Sequence, residues 1–570
     1  MDKKHIRNLA LQNAIKFNGK ANPGAVIGHI ISNDPKAKAN IKEIAKKVNE
    51  VIKEVNKLSL NKQNQELIDN APELLKEKKH EKKQGLKPLK KAKEGKVIMR
   101  FAPSPSGPMH IGHAFGISLS SEYCRKYKGK LILRIEDTNP DNIYEPAYKL
   151  IPEDGKWITK NNIKEIIIQS DRLETYYKYF EKLLELEKVY ICTCNPEKYK
   201  ELITNSQACH CRSLNNQKQR WKDMFKKYKQ GEAVARVKTD LAHKNPAMRD
   251  FPVFRINESS HPKQKKKYRV WPLMNMSVTV DDIESNMTHI IRAKEHADNA
   301  KRQEYIYNYL KKPIPETLFV GRINFIGMPV SCSKTKQAIQ EGKYKDWDDI
   351  KLPFLLALKR RGYQPESFIK YAEEVGVSLT DKTVSKEDFF KSINSFNRNF
   401  IDKKADRYFF IQDPKKIKIK GAPKKEIKIA IHPDFKERGN RTLKTDEDFY
   451  IEDKIEKGKN YRLMHLLNFK NNELISEEID ETLKTKMIHW LPVEESLIKT
   501  EILMDTGKTI KGLSEPDLKK AKIGDIVQFE RFGFCRLDEI SEKRSFSDDA
   551  RKNHFSDIKN KVYKFWFTHK

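Results

Sequence analysis

The sequence predicts an α/β multidomain protein: a parallel-sheet domain with an insertion, helical flanks and a β-rich tail. Three observations carry this. A strand, a Pro/Ser/Gly loop, a helix and a second strand follow one another between residues 97 and 135. A block near 190–270, with two tight cysteine pairs and basic residues among aromatics, interrupts that pattern. From about Phe400 the chain turns to short apolar runs separated by turns.

Composition bounds the rest. A chain of 570 residues is too long for one core, so about three to five domains are expected. Lys and Arg number 113 against 79 Asp and Glu, a net charge of +34. Such an excess favours a polyanionic partner through counterion release, although lysine enrichment also arises from genome bias or heat adaptation. No run of about eighteen apolar residues occurs, so no membrane span is expected. Met1-Asp2-Lys3-Lys4-His5 lacks the apolar core of a signal peptide. Seven cysteines in so long a chain suit a reducing, cytoplasmic setting.

Residues 1–95 read as a helical appendage. Ile41, Ile44, Val48, Val51, Ile52 and Val55 recur at helical spacing. The lysine-rich run 76–96, with Gly85, Pro88 and Gly95, reads as a basic linker: a solvated connector, or a contact for RNA backbone or a protein partner. Strand one is 97–101. It ends in Met99-Arg100-Phe101-Ala102-Pro103-Ser104-Pro105-Ser106-Gly107-Pro108-Met109-His110-Ile111-Gly112-His113, and the helix that follows runs to about Tyr127. Strand, loop and helix N-terminus form a phosphate-binding geometry, yet the lysine and glycine spacing of a Walker loop are absent. His-x-Gly-His suits a close approach to a nucleotide, with two imidazoles facing it. Strand two, 130–135, ends in Glu136-Asp137-Thr138-Asn139-Pro140 at the same rim as the loop. These acids are either a capped turn or the anion for an amino-acid ammonium, and Glu136 is the preferred binder.

A short strand at 166–168 and a helix at 172–188 close the first half of this domain, 96–190. The insertion, 191–269, opens with Cys192-Thr193-Cys194, then fourteen residues, then Cys209-His210-Cys211. Four thiols in two pairs match the ligand count of a structural zinc knuckle, with His210 able to replace either neighbour, against the alternative of plain reduced cysteines. A helix is expected over 221–229, then strands at 232–238 and 249–256. Lys263 to Arg269 interleaves basic and aromatic residues, which suits a nucleic-acid end clamp. The parallel fold resumes over 270–340. There a strand near 287–293 presents Arg292, and a mobile loop, Val330-Ser331-Cys332-Ser333-Lys334-Thr335-Lys336, is either plain surface or offers a lysine to a charged transition state. Residues 341–400 are expected to be helical. Residues 401–570 read as two small barrels.

Four stretches, Arg100 to His113, Leu133 to Pro140, Trp271 to Arg292 and Ser331 to Lys336, together resemble class I aminoacyl-tRNA synthetases, and within them the glutamyl-tRNA synthetases of archaeal and eukaryotic type. Ala405-Asp406-Arg407-Tyr408-Phe409-Phe410, His432-Pro433-Asp434 and Phe529-Glu530-Arg531-Phe532-Gly533-Phe534 extend the likeness, which covers about residue 95 to the end. The resemblance implies a Rossmann-type catalytic domain. It implies ATP with Mg²⁺ at Pro103, His110, Gly112, His113, Ser333 and Lys334, with His110, His113 and Lys334 catalytic. It implies L-glutamate at Arg100, Ala102, Ser104, Glu136, Met274 and Arg292. It further implies that 191–269 holds the acceptor stem, 341–400 the tRNA elbow and the barrels the anticodon of tRNA-Glu, with charging of tRNA-Gln left open. A monomer is expected.

The glutaminyl sister carries a Pro-Pro-Glu-Pro-Asn-Gly-type loop and a double Asp, where this chain has Ala102-Pro103-Ser104-Pro105-Ser106-Gly107 and Glu136-Asp137. Two positions depart from the family pattern: Met274 stands where Tyr is usual, and Ser331-Cys332-Ser333-Lys334 replaces the usual start of the second signature. The competing readings are a glutaminyl-tRNA synthetase, a non-catalytic tRNA-binding scaffold, and a stand-alone tRNA modifier, which would lack the β tail.

Overall fold

The computed structural model describes residues 2–17, 19–33, 40–74, 86–542 and 561–570. It forms two units, Met1–Gln84 and Gly85–Lys570.

The first unit is a bundle of four helices, α1 (Lys3–Lys16), α2 (Pro23–Asn33), α3 (Ile41–Val55) and α4 (Leu60–Asn70). Side chains of Asp2 and Ser59 cap α1 and α4 by accepting from backbone amides. On α3 the predicted stripe from Ile44 to Val55 is buried against Ile6, Leu9 and Ala10, whereas Ile41, at the first turn, is exposed. The buried Gln63 amide donates to the carbonyls of Gly19, Val55 and Leu58 and ties two turns together.

Of the lysine-rich run, residues 76–85 lie outside the described residues. The remainder is largely exposed but pinned to the second unit at Leu89. Leu89 is buried in the second unit's core, its amide donates to the Tyr127 hydroxyl at 2.9 Å, and the Lys90 carbonyl accepts from His289 Nε2 at 2.8 Å. Two leucines among the lysines, Leu86 and Leu89, supply the apolar anchor.

The second unit begins with β1 (Ile98–Phe101), α5 (Ile111–Lys126), β2 (Lys130–Ile135), α6 (Ala147–Ile158), β3 (Ile163–Ile168) and α7 (Leu173–Glu185). β1, β2 and β3 pair in parallel. The chain then leaves this sheet for β4 (Val189–Cys192), α8 (Pro196–Thr204), α9 (Gln217–Met224), β5 (Val234–Val237), β6 (Pro252–Ile256) and β7 (Val270–Pro272). These four strands make one antiparallel sheet in sequence order. This antiparallel sheet runs from Val189 through Pro272, beyond the expected 191–269: Val270 and Trp271 pair with Ile256 and Arg255 of β6, and they are buried in a core shared with α7 and with Met276, Val280 and Ile306. α9 stops at Met224, short of the expected 229, because its two buried anchors, Trp221 and Met224, end there.

The parallel fold returns with α10 (Met274–Glu284), β8 (His289–Ala293), α11 (Ala297–Tyr309), β9 (Glu316–Val320) and β10 (Ile323–Ile326). β8 and β9 are parallel, and β8 is tied to β1 by the Thr288 amide donating to the Ile98 carbonyl at 3.1 Å. The order β3-β2-β1-β8-β9 reverses direction between β1 and β8, where ligands of such sheets bind. Next come α12 (Cys332–Gln340), α13 (Leu355–Arg360), α14 (Pro365–Val375), β11 (Lys382–Ser385) and α15 (Lys386–Ile401). The all-helical expectation for 341–400 is corrected: β11 pairs in parallel with β10.

The tail contains β12 (Asp406–Tyr408), β13 (Phe410–Gln412), β14 (Lys415–Lys418), β15 (Glu426–Ala430), β16 (Asn440–Lys444), β17 (Asp448–Ile451), β18 (Asn460–Leu463), β19 (Leu467–Lys470), β20 (Glu473–Ser476), β21 (Lys486–Ile488), β22 (Leu491–Pro492), β23 (Ile498–Leu503), β24 (Thr509–Ser514), β25 (Ile526–Phe529), β26 (Gly533–Glu542) and β27 (Lys561–His569). One seven-stranded sheet has the order β12-β25-β26-β27-β23-β24-β13. Its two edges, β12 and β13, are joined by Phe409 alone, so the sheet nearly closes into a barrel. The three smaller sheets between β13 and β23 surround a second core. Tyr408 and Phe410 point into the first core, Phe409 and Ile411 into the second. This explains why the run Tyr-Phe-Phe-Ile lacks alternation: both faces are buried. Arg360 forks onto Asp538 at 2.9 and 2.6 Å and joins the helical block to the barrel.

Candidate active site

The loop after β1 and the start of α5 are built around two imidazoles. Nδ1 of His110 accepts from the Gly112 amide at 3.1 Å, and Nδ1 of His113 accepts from the His110 amide at 3.3 Å. Two of the amides that a helix start leaves unpaired are thereby used. The rings stack with centroids 3.8 Å apart. A Cβ at Gly112 would lie 3.0 Å from the His110 ring, a tight approach that would press on the stacked pair. Because both Nδ1 atoms accept, each neutral ring carries its proton on Nε2. Burial, and then His113, hold His110 well below its ordinary value, and burial lowers His113 to about 4.

A histidine NMR titration should show the rings of His110 and His113 keeping their neutral chemical shifts from pH 8 down to about 5.5, since burial holds both below the ordinary value and lowers His113 to about 4. His110→Asn should remove one of these signals and His113→Asn the other, which assigns them; midpoints near the ordinary value would refute the tautomer assignment.

At the carboxyl ends of β1, β2, β8 and β9 lies a cavity of about 480 Å³. Its lining includes Arg100, Ala102, Pro103, Ser104, His110, Gly112, His113, Glu136, Met274 and Arg292, so ten of the twelve residues assigned from sequence to nucleotide or amino acid meet at one cavity. The two exceptions are Ser333 and Lys334. The expected mobile loop is instead the first turn of α12, and both side chains are exposed outside this cavity. Cys332 anchors that turn, its Sγ 3.8 Å from the Pro108 carbonyl and pressed against Gly107.

Beneath the cavity lie charges that sequence reading missed. Asp282, fully buried on α10, accepts from Arg134 Nη1 at 2.6 Å and stands 3.4 Å from Arg100 Nε. Burial alone would raise the Asp282 carboxyl; Arg134 and Arg100 hold it below its ordinary value. Arg134 also donates to Glu136 at 3.0 Å. Arg292 donates to Gln303 at 3.0 Å, and burial followed by the nearby Arg100 lowers its guanidinium to about 10. Two guanidiniums and a carboxylate lining one cavity suit a small ligand with an anionic and a cationic end. The signal was present: an arginine within Leu131-Ile132-Leu133-Arg134-Ile135 and an acid pair after Val278-Thr279-Val280 sit in apolar runs, where a charge requires a buried partner. Asp137, the other acid of its pair, faces inward and accepts from Tyr148 at 2.5 Å and the Ser170 amide at 2.7 Å.

The family model for the catalytic domain of class I tRNA synthetases (E and Q) matches residues 96–403, and two models for their anticodon-binding domain match 405–489 and 487–538. The chain belongs to this family. A glutamate–tRNA ligase of Methanococcus maripaludis is 42% identical over 547 residues, covering 94% of this chain and 97% of the relative. That of Methanocaldococcus jannaschii is 42% identical over 552 residues, covering 94% and 97%. That of Methanothermobacter thermautotrophicus is 43% identical over 543 residues, covering 94% and 96%.

The synthetase's insertion carries the cysteine cluster. Sγ atoms of Cys192, Cys194, Cys209 and Cys211 all lie within 4.8 Å of one another. The Cys192–Cys209 and Cys194–Cys211 separations are 3.8 and 3.9 Å. A tetrahedron with metal–sulfur bonds of about 2.3 Å has edges of about 3.8 Å, so the four thiols fit one soft metal ion. The bends that bring them together are the end of β4 and a short 3₁₀ turn, His210–Ser213. His210 lies outside the four-ligand group, with its ring nitrogens 3.5 Å from Cys211 and 3.8 Å from Cys194. The Thr193 amide and Arg220 point at Cys211 Sγ, at 3.5 and 3.7 Å, donors that suit a thiolate. Among the described residues no helix is long and apolar enough to cross a membrane.

Proposed function

We propose that this synthetase is a glutamate–tRNA ligase of the cytoplasm. The observation that carries the reading is the pairing of Arg100 and Arg292 with Glu136 in one cavity beside the two histidines. In this reading Arg100 and Arg292 take the side-chain carboxylate of L-glutamate and Glu136 takes its α-ammonium. The guanidinium forks offer the neutral amide of glutamine no charge partner. Ala102, Ser104 and Met274 complete the amino-acid wall, Met274 without the hydroxyl of the usual tyrosine.

ATP, carried with Mg²⁺, lies along Pro103, His110, Gly112 and His113, with Nε2–H donors of the two rings toward it, and Ser333 and Lys334 reach it from α12. The α-carboxylate of glutamate attacks the α-phosphate and pyrophosphate leaves. The 2′-hydroxyl of the terminal tRNA adenosine then takes the glutamyl group and AMP leaves. Positioning and charge complementarity do most of the work. The insertion holds the acceptor stem, the block from about 341 to 401 the elbow, and the β tail the anticodon of tRNA-Glu. The protein acts as a monomer, and the first unit offers a surface to a further partner.

ATP–pyrophosphate exchange tests this, with glutamate or glutamine, with and without tRNA. Exchange with glutamate that requires tRNA is the expected result. Exchange with glutamine alone would identify the sister enzyme, and none at all a scaffold.

The four cysteines hold one structural Zn²⁺ in this reading. Metal analysis should give one equivalent per chain, and Cys209→Ser should lower it and destabilise the insertion, with a melting transition reduced by several degrees. A sub-stoichiometric metal content in protein prepared without chelator would remove the site.

A further inference from the structure

The cavity-facing charges are held from behind by a pair that does not line the cavity. The side chains of Arg134 and Asp282 are 1% and 0% exposed. Asp282 Oδ1 receives Arg134 Nη1 at 2.6 Å and lies 3.4 Å from Arg100 Nε; Arg134 Nη2 donates to Glu136 at 3.0 Å. The result is a chain of alternating sign: Arg100, Asp282, Arg134, Glu136. Its cationic end and its anionic end both open into the cavity. The middle pair is an expensive way to fill a core. Asp282 Oδ2 and Arg134 Nε are buried without hydrogen-bond partners. A buried ion pair of this kind is often no more stable than apolar residues of the same volume. What the pair does supply is fixed geometry, because β2 carries Arg134 and α10 carries Asp282.

We propose that Arg134 and Asp282 are positioning residues that set the separation and direction of Arg100 and Glu136, and thereby select an amino acid by the distance between its side-chain carboxylate and its α-ammonium. The proposal rests on the glutamate reading of the cavity. It assigns the preference for glutamate over aspartate, one methylene shorter, to two residues that touch neither.

The test is the double variant Asp282→Asn/Arg134→Gln, in which neither charge is left alone in the core. ATP–pyrophosphate exchange is measured with tRNA present. The expected result is a KM for glutamate raised about 10- to 100-fold, an unchanged KM for ATP, and a glutamate-to-aspartate preference reduced at least tenfold. Arg134→Lys, which keeps the charge but loses the fork, should fall between. A double variant with the parent KM and preference would overturn the proposal. So would one that no longer folds by circular dichroism, since the pair would then belong to the core alone. Failure of the glutamate reading is separable: the parent protein itself would then show no exchange with glutamate.

Discussion

Arg100→Gln is expected to lower kcat/KM for glutamate about 100- to 1,000-fold in tRNA-dependent pyrophosphate exchange, with the KM for ATP within about threefold of the parent. The size follows from two losses at once. The carboxylate of the substrate loses a guanidinium in a cavity where Arg100 is only 8% exposed, and charge-assisted hydrogen bonds are strong where water is excluded. Asp282 also loses one of its two cations and keeps only Arg134. Arg292 does not compensate, because it sits on β8 and is held by Gln303 of α11. Unchanged glutamate kinetics would refute the clamp. A gain of glutamine use would support it, since the introduced amide pairs with an amide.

Lys334→Ala is expected to cut the activation rate about 100- to 1,000-fold while leaving tRNA binding intact. The structure makes this the sharper test. Lys334 stands exposed in the first turn of α12, outside the cavity, and forms no hydrogen bond or ion pair among the described residues. A cation without a local partner has little stabilising work to lose, so a large loss of rate with tRNA binding intact points to its reaching the phosphates during the reaction. The turn that carries it is seated through Cys332 on Gly107 and Pro108, in the loop that leads to His110 at the cavity. Equal losses in activation and in tRNA binding would assign Lys334 to the RNA surface instead.

Much of the catalytic unit was legible in the sequence, for reasons that can be named residue by residue. β2 (Lys130–Ile135) matches its reading residue for residue, because Leu131, Ile132, Leu133 and Ile135 form a short apolar run bounded by Gly129 and Glu136. The end of α5 was marked by Lys126 and Gly129. Less was legible where local pattern and tertiary demand differ. The stretch 346–394 looked uniformly helical, yet Lys382–Ser385 became a strand because β10 offered it a partner. Tyr408 to Ile411 looked like one strand and is divided between two cores. The hydroxyl-rich stretch around Lys334 looked like a loop and is a helix start, seated by a partly buried contact 224 residues away in sequence.

The sequence by itself determined the family, the strand–loop–helix that holds the histidines, the cation at Arg100, the anion at Glu136 and the four thiols. Each of these is a short string whose spacing already implies its geometry, a helix start or a strand end. Only the tertiary structure decided that Asp282 and Arg134, 148 residues apart, close the circuit between Arg100 and Glu136. It also decided that two cysteine pairs face one point, and that Lys334 waits outside the cavity. Those are contacts between distant segments, and their cost or gain depends on burial, which one-dimensional pattern signals but cannot pair.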